Sequence, residues 1–142
     1  MREIKFRAWD KWQKKIVSVD GALFDIPSHL PSNWRVFLIP LQYTGLKDAT
    51  KWEQLKPEEQ EAWLAKGKSK EGWNGKEIYE GDILAPEPNA YNRHEVVFEY
   101  GAFQLVLATG SRQTLKDASW NGKVQEVIIG NIYDNPELME VE

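Results

Sequence analysis

Asn74-Gly75-Lys76-Glu77-Ile78-Tyr79-Glu80-Gly81-Asp82-Ile83-Leu84 is the stretch whose reading decides the fold. Ile78 and Ile83 are core candidates, and Gly75 and Gly81 mark turns or bulges. Glu77 to Leu84 reads as one strand bent at Gly81, of the kind that enters a small β-barrel. Downstream, Pro86 to Asn92 is a loop. Glu95–Tyr100 and Ala102–Ala108 form a hairpin about Gly101. Phe103, Leu105 and Leu107 share one face of it, with Gln104, Val106 and Ala108 on the other. Residues 109–123 are polar, and Asn121-Gly122 is a strong turn signal. Val124 to Tyr133 is a strand with Gly130 as a bulge or close-approach point. Asp134-Asn135-Pro136-Glu137 starts a terminal helical turn, docked by Leu138 and Met139.

Upstream, Ile4, Phe6 and Ala8 alternate with Glu3, Lys5, Arg7 and Trp9, which is the pattern of a half-buried strand. Trp9 is expected to face outward. Ile16-Val17-Ser18-Val19 returns after a polar turn, so residues 1–20 form a hairpin. Residues 22–33 are loop. Trp34 to Ile39 is a strand that Pro40 places at an edge or breaks. Leu41 to Thr44 continues it, and Gly45 starts a turn. Residues 49–73 differ in kind. Pro57 suits the first helical position, and Glu58, Glu59 and Glu61 complement the helix dipole. Trp63 and Leu64 supply an apolar side, Leu55 packs ahead of the start, and Gly67 caps the end. This predicts a short helix over Pro57–Lys66, with Lys66, Lys68 and Lys70 clustered at its far end. The fold class is mainly β with minor α. It is a small, partly open barrel-like or sandwich domain with an N-terminal hairpin, one inserted short helix and a C-terminal helical turn.

The chain has 142 residues, enough for one domain that buries roughly 68–70% of its unfolded surface. It has no cysteine, which excludes disulfides, thiolate zinc sites and cysteine nucleophiles and fits a reducing compartment. Its two histidines, His29 and His94, leave little for a histidine-rich metal site. Charged, alternating sequence from Met1 onward argues against a secretory signal, and no apolar run approaches a membrane span. The net charge of −4 argues against a general nucleic-acid coat protein. The charge is uneven: six basic residues against Glu3 and Asp10 put +4 on residues 1–15, leaving −8 on the rest. Seven tryptophans are scattered along the chain, mostly between polar neighbours. Some belong to the core, and others suit an interface.

Catalytic patterns are thin. Glu80 and Asp82 stand two apart, so a regular strand would put them on one face, and with Glu77 they could hold Mg2+ or do acid–base work. A polar strand edge explains them more simply. His94, beside Arg93 and Glu95, could be a general base, but an exposed loop residue ahead of a strand is the plainer reading. Ser111 and Ser119 lack a nucleophile-elbow setting, and Gly72 to Lys76 lacks the P-loop spacing. Lys5-Phe6-Arg7-Ala8-Trp9 and Lys11-Trp12 set rings beside cations, as single-strand-binding barrels do. Phe6 and Trp9 fall on opposite strand faces, however, which splits that platform.

Four ordered blocks resemble the YopX family of phage and prophage proteins. They are Arg2 to Asp10, Gln42-Tyr43-Thr44-Gly45-Leu46-Lys47-Asp48, Asn74 to Ile83, and Val127 to Leu138. Together they span nearly the whole chain. In the family pattern the second block runs almost directly into the third. Here residues 49–73 intervene and look like an insertion at a turn. The resemblance implies a small, mainly β, phage-derived protein of the bacterial cytoplasm, one domain over residues 1–142. It implies no activity, and the shared residues are those of a scaffold.

The leading expectation is a non-enzymatic protein-interaction or regulatory module. It would engage a host or phage protein, or a second copy of itself, through tryptophans and a strand edge. The surface expected to do so comprises Trp9, Trp12, Lys14, Lys15, Trp52, Trp63 and Trp73. Nucleic-acid binding through the N-terminal hairpin is the alternative, and a metal-assisted enzyme using Glu77, Glu80 and Asp82 a third reading. No cofactor, metal or membrane partner is assigned.

Overall fold

The computed structural model describes residues 6–11, 14–18, 38–88, 90 and 92–140 of the chain. Strand β1 (Phe6–Asp10) pairs antiparallel with β2 (Lys15–Ser18) and with β3 (Leu38–Lys47). The β1–β2 turn closes through Lys14 at φ 55°, whose N–H donates to the Asp10 carbonyl at 2.7 Å. The predicted hairpin is therefore present. The predicted loop over 22–33 with His29, the strand start at 34–37 and Trp12 lie outside the described residues.

Strand β3 runs ten residues straight through Pro40. A missing donor is tolerated there because Pro40 faces Ala8 of β1, while pairing on the other side of β3 begins only at Tyr43. Gly45, expected to start a turn, sits instead within β3 at φ 86°. Around it the register against β4 (Glu77–Tyr79) shifts between Tyr43 and Lys47. Thr44 satisfies this bulge: its Oγ1 donates to the Ile78 carbonyl at 2.8 Å and accepts from the Leu46 N–H at 3.2 Å.

The single bent strand expected over Glu77–Leu84 is two strands in two sheets, β4 and β5 (Asp82–Ala85). Gly81, at φ 91°, turns the chain between them. Three hydrogen bonds hold this corner. Glu80 N–H donates to the Gln42 carbonyl at 2.9 Å and Gly81 N–H to Val96 at 2.8 Å, while the Gly81 carbonyl accepts from Ile132 N–H at 2.9 Å.

The second sheet has the order β11-β5-β6-β7-β8, with β6 (His94–Glu99), β7 (Ala102–Leu107), β8 (Arg112–Thr114) and β11 (Val127–Asn131). Tyr100 and Gly101, both at positive φ, make the two-residue β6–β7 turn. In the first sheet, β9 (Ser119–Trp120) and β10 (Lys123–Val124) form a hairpin about Asn121-Gly122, and β10 lies parallel to β3. The strand expected from Val124 to Tyr133 is thus divided between the sheets, with its bulge at Gly130 as expected. Ile78 and Val124 from one sheet pack with Leu84, Val96, Phe103 and Leu105 from the other. The result is mainly β and sandwich-like, with no closed barrel among the described residues.

Helix α1 (Pro57–Ala65) matches the predicted one, with Pro57 at its start and Gly67 at φ 78° just past its end. Leu55 is buried ahead of it as expected, but no residue of α1 is buried and Leu64 is 49% exposed. The terminal helical turn is a 3-10 turn over Pro136–Met139. No helix among the described residues is long and apolar enough to cross a membrane.

Candidate functional site

Residues 49–73 leave and rejoin the first sheet at adjacent points. Lys47 and Glu77 are paired across β3 and β4. One residue outward, Asp48 N–H donates to the Lys76 carbonyl at 2.9 Å, and Lys76 N–H donates to Asp48 Oδ1 at 2.7 Å. Asp48 is wholly buried. Its carboxylate also accepts from Thr50 N–H and Thr50 Oγ1, at 3.0 and 2.6 Å, and from Ile128 N–H at 2.8 Å. One side chain therefore joins the neck of the excursion to β4 and β11. Only glycine fits opposite it: a Cβ on Gly75 would stand 2.1 Å from the Asp48 carbonyl oxygen, and φ there is 97°.

Beyond the neck, three tryptophans substitute for an apolar core. Trp73 meets Trp63 edge-on at 5.0 Å between ring centroids and Trp52 at 6.2 Å. Two of the indoles are engaged by backbone: Trp73 Nε1 donates to the Thr50 carbonyl at 2.9 Å and Trp63 Nε1 to the Ser69 carbonyl at 2.7 Å. Gln60 Nε2 ties α1 to the Trp52 carbonyl at 3.0 Å. These rings are half-buried against one another, so they first serve to fold the excursion. Lys76 Nζ bridges to Glu59 Oε2 at 3.0 Å and fastens α1 to β4.

Beneath α1 opens a cleft of about 750 Å3, between the excursion, the β3–β4 neck and β11. Two further hollows, of about 290 and 320 Å3, lie beside Trp52 and beside Phe103. Six cationic side chains line the large cleft, Arg7, Lys47, Lys56, Lys66, Lys68 and Lys76, against three acidic ones, Glu59, Glu77 and Asp82. Lys68 Nζ lies 4.4 Å from the centroid of the Trp63 ring, a cation–π contact. Arg7 lies over the Tyr79 ring at 4.5 Å and forms an ion pair with Asp82. Burial pushes the Asp82 carboxyl up to about 6, with Arg7 and the Tyr79 N–H opposing that rise.

Of the residues expected at a site, Trp52, Trp63 and Trp73 are brought together, and Trp63 and Trp73 border the cleft. Lys14 and Lys15 are exposed at the N-terminal hairpin and do not line the cleft. Trp9, expected to face outward, is half-buried and stacks on Tyr133 at 5.4 Å. Glu80 and Asp82 do not share a face, because Gly81 turns the chain between them. Asp82 is buried against Arg7, while burial raises the pKa of Glu95 and of Tyr133, with neighbouring carboxylates, Glu80 among them, adding to each rise. Glu77 accepts from the Tyr79 hydroxyl at 3.5 Å. No cluster of three metal-ligating side chains occurs among the described residues. His94, read as an exposed loop residue, opens β6 half-buried, with Nδ1 3.0 Å from Glu126 Oε1. Sequence reasoning did not single out Trp120 and Tyr100, at 73% and 88% exposure, or Asp48 as the hub. Nothing local in the sequence marks them.

The family model described as "YopX protein" matches residues 71–140, from the base of the excursion through β4 to the terminal turn. Through this region the chain is similar to the YopX family. Among solved structures, protein EF1440 from Enterococcus faecalis is similar at 26% identity and TM-score 0.57, covering 99% of this chain and 100% of that one. Protein yopX from Bacillus subtilis is 19% identical with TM-score 0.45, covering 100% of this chain and 99% of that one. No curated protein matches the sequence significantly. The matched YopX region holds Gly75, Gly81, Asp82 and Gly130, which make the neck, the corner and the bulge. Asp48, Trp52, α1 and the lysines of the excursion lie before it.

Proposed function

We propose that this YopX-like chain is a phage- or prophage-encoded, non-enzymatic interaction module of the bacterial cytoplasm. In this reading residues 49–73 are an insertion that presents its partner-facing surface. The observation that carries it is the contrast within that segment. Its footing is fixed by Asp48, Gly75 and the tryptophan trio, yet no side chain of α1 is buried and Leu64 stands 49% exposed. A rigid, outward-mounted helix with no part in the core is preorganised for binding, since little ordering remains to be done on association. The partner is a host or phage protein, or a second copy of this chain meeting an open strand edge.

The test compares the full chain with a variant in which Asp48 is joined to Asn74. Both are immobilised at equal density and exposed to host lysate, and their mass is followed by sedimentation. The deletion is expected to keep its strand signal and lose the partner or the self-association seen with the full chain. The same partner and the same mass from both would overturn the reading.

The exposed Lys14 and Lys15 at the β1–β2 turn favour a second reading, single-stranded nucleic-acid binding at that hairpin. It predicts salt-sensitive binding that Lys14→Glu plus Lys15→Glu abolishes.

A further inference from the structure

We propose that the large cleft beneath α1 is a binding site for a phosphate-bearing ligand of about nucleotide size. Two of its six cations are already matched, Arg7 by Asp82 and Lys76 by Glu59. Lys47, Lys56, Lys66 and Lys68 line the same cleft with no carboxylate at ion-pair distance among the described residues. These four like charges border one concavity, and none of them contributes to the two-sheet core. The chain as a whole carries −4, so the excess is local and not a by-product of a basic protein. A cleft lined by an excess of one sign of charge raises the local concentration of anions that enter it. The cleft is also built from two separate parts of the chain: Lys47 comes from β3, and Lys56, Lys66 and Lys68 flank α1.

Charge density selects phosphate over carboxylate. A phosphoryl group carries up to about two negative charges and three acceptor oxygens. The six cations of the lining face Glu59, Glu77 and Asp82, which leaves an excess of three positive charges that two adjoining groups would balance inside about 750 Å3. The same charge as carboxylates needs three acidic residues, roughly 10 Å of extended peptide. Lysine ammoniums suit this role because they act as point charges with three donors each. Trp63 and Trp73 give the cleft an apolar wall for a base or sugar, and a phosphate that draws Lys68 off the Trp63 ring would alter the indole's surroundings. A free nucleotide and one unit of a single strand present the same chemistry. This inference is independent of the protein-interaction reading, and a failed partner capture would leave it standing.

The experiment is a titration of the full chain with inorganic tripolyphosphate, adenosine triphosphate and a short single-stranded oligodeoxynucleotide. Tryptophan fluorescence and calorimetry are followed at low and at physiological salt. Saturable binding that weakens with salt is expected, and Lys56→Glu plus Lys66→Glu should weaken it by about tenfold or more. Lys14→Glu plus Lys15→Glu should leave it unchanged. Should the first double variant lose its fold by circular dichroism, Lys47→Gln serves in its place, with a loss of about threefold or more expected. Binding of a free phosphate compound assigns the site to a small ligand, and binding of the oligonucleotide alone assigns it to a strand. The proposal is overturned by no binding of any probe at low salt, by equal affinity for an oligoglutamate of the same charge, or by loss of binding only in the Lys14/Lys15 variant.

Discussion

Ile78, Leu84 and Val96 are wholly shielded between the two sheets, whereas the nine residues of α1 bury no side chain at all. The sheets are held by apolar packing drawn from strands distant in sequence. Residues 49–73 are held by three indoles, a neck of hydrogen bonds and one bridge from Lys76 to Glu59. One hub, Asp48, connects the two regimes. The lesson is that a surface segment can be anchored without a share in the core, provided its ends are pinned and its rings pack on one another. Its stability then comes from a few contacts, each open to a single substitution.

The comparison breaks most severely at the hub. Asp48→Ala would orphan the buried Thr50 N–H and hydroxyl and the part-buried N–H groups of Lys76 and Ile128, at a cost of about 3 kcal/mol, and should lower the melting point of the whole chain in thermal unfolding. Gly75→Ala forces a Cβ against the same residue at a backbone angle that side chains avoid, and should match that loss. If either variant melts like the parent, the neck is not the joint described.

Trp73→Ala should instead separate the two regimes. It removes the ring shared by Trp52 and Trp63, at about 2 kcal/mol for a half-buried site. Hydrogen exchange is expected to speed up over residues 49–73 while Ile83, Leu84 and Val96 keep their protection. Uniform loss of protection would mean the excursion and the core unfold as one unit.

A smaller effect concerns pH. The folded Asp82 pKa of about 6 lies above its ordinary value, so the folded state holds the proton more tightly than the unfolded one. Stability from this group is therefore present at acid pH and is lost as pH rises through about 6. Between pH 5 and 7 the change is about 1 kcal/mol. The melting-point difference between the parent and Asp82→Asn should grow in the parent's favour as pH falls across that range. A difference independent of pH would place the titration elsewhere. Smallest of all, Leu64→Ser should shift stability by less than about 0.5 kcal/mol, because half of that side chain already faces solvent.

Helix α1 was legible because its determinants are local: Pro57 at the first position, acids in the first turn, and Gly67 past the end. The same holds for the Asn121-Gly122 turn, the Gly101 hairpin and the Gly130 bulge. Gly81 shows where local reading stops. Alternation on both sides of it suggests one strand, and only the partners offered by Gln42, Val96 and Ile132 decide that the chain changes sheet there. That corner also parts Glu80 from Asp82, which spacing alone would have put together. Likewise Pro40 reads as a break, yet a strand with one free side at that point accommodates it.

By itself, the sequence determined the mainly β class, the short helix, the turn positions and the YopX resemblance, because periodicity, capping and left-handed turn chemistry act over a few neighbouring residues. It also displayed the lysines at the end of α1. The tertiary structure alone decided that the lysines flanking α1 share a cleft with Arg7, Lys47 and Lys76, that three scattered tryptophans meet, and that a single buried aspartate ties the excursion to both sheets. Each of those facts depends on strand pairing across many residues, where the energy resides in contacts that no local pattern encodes.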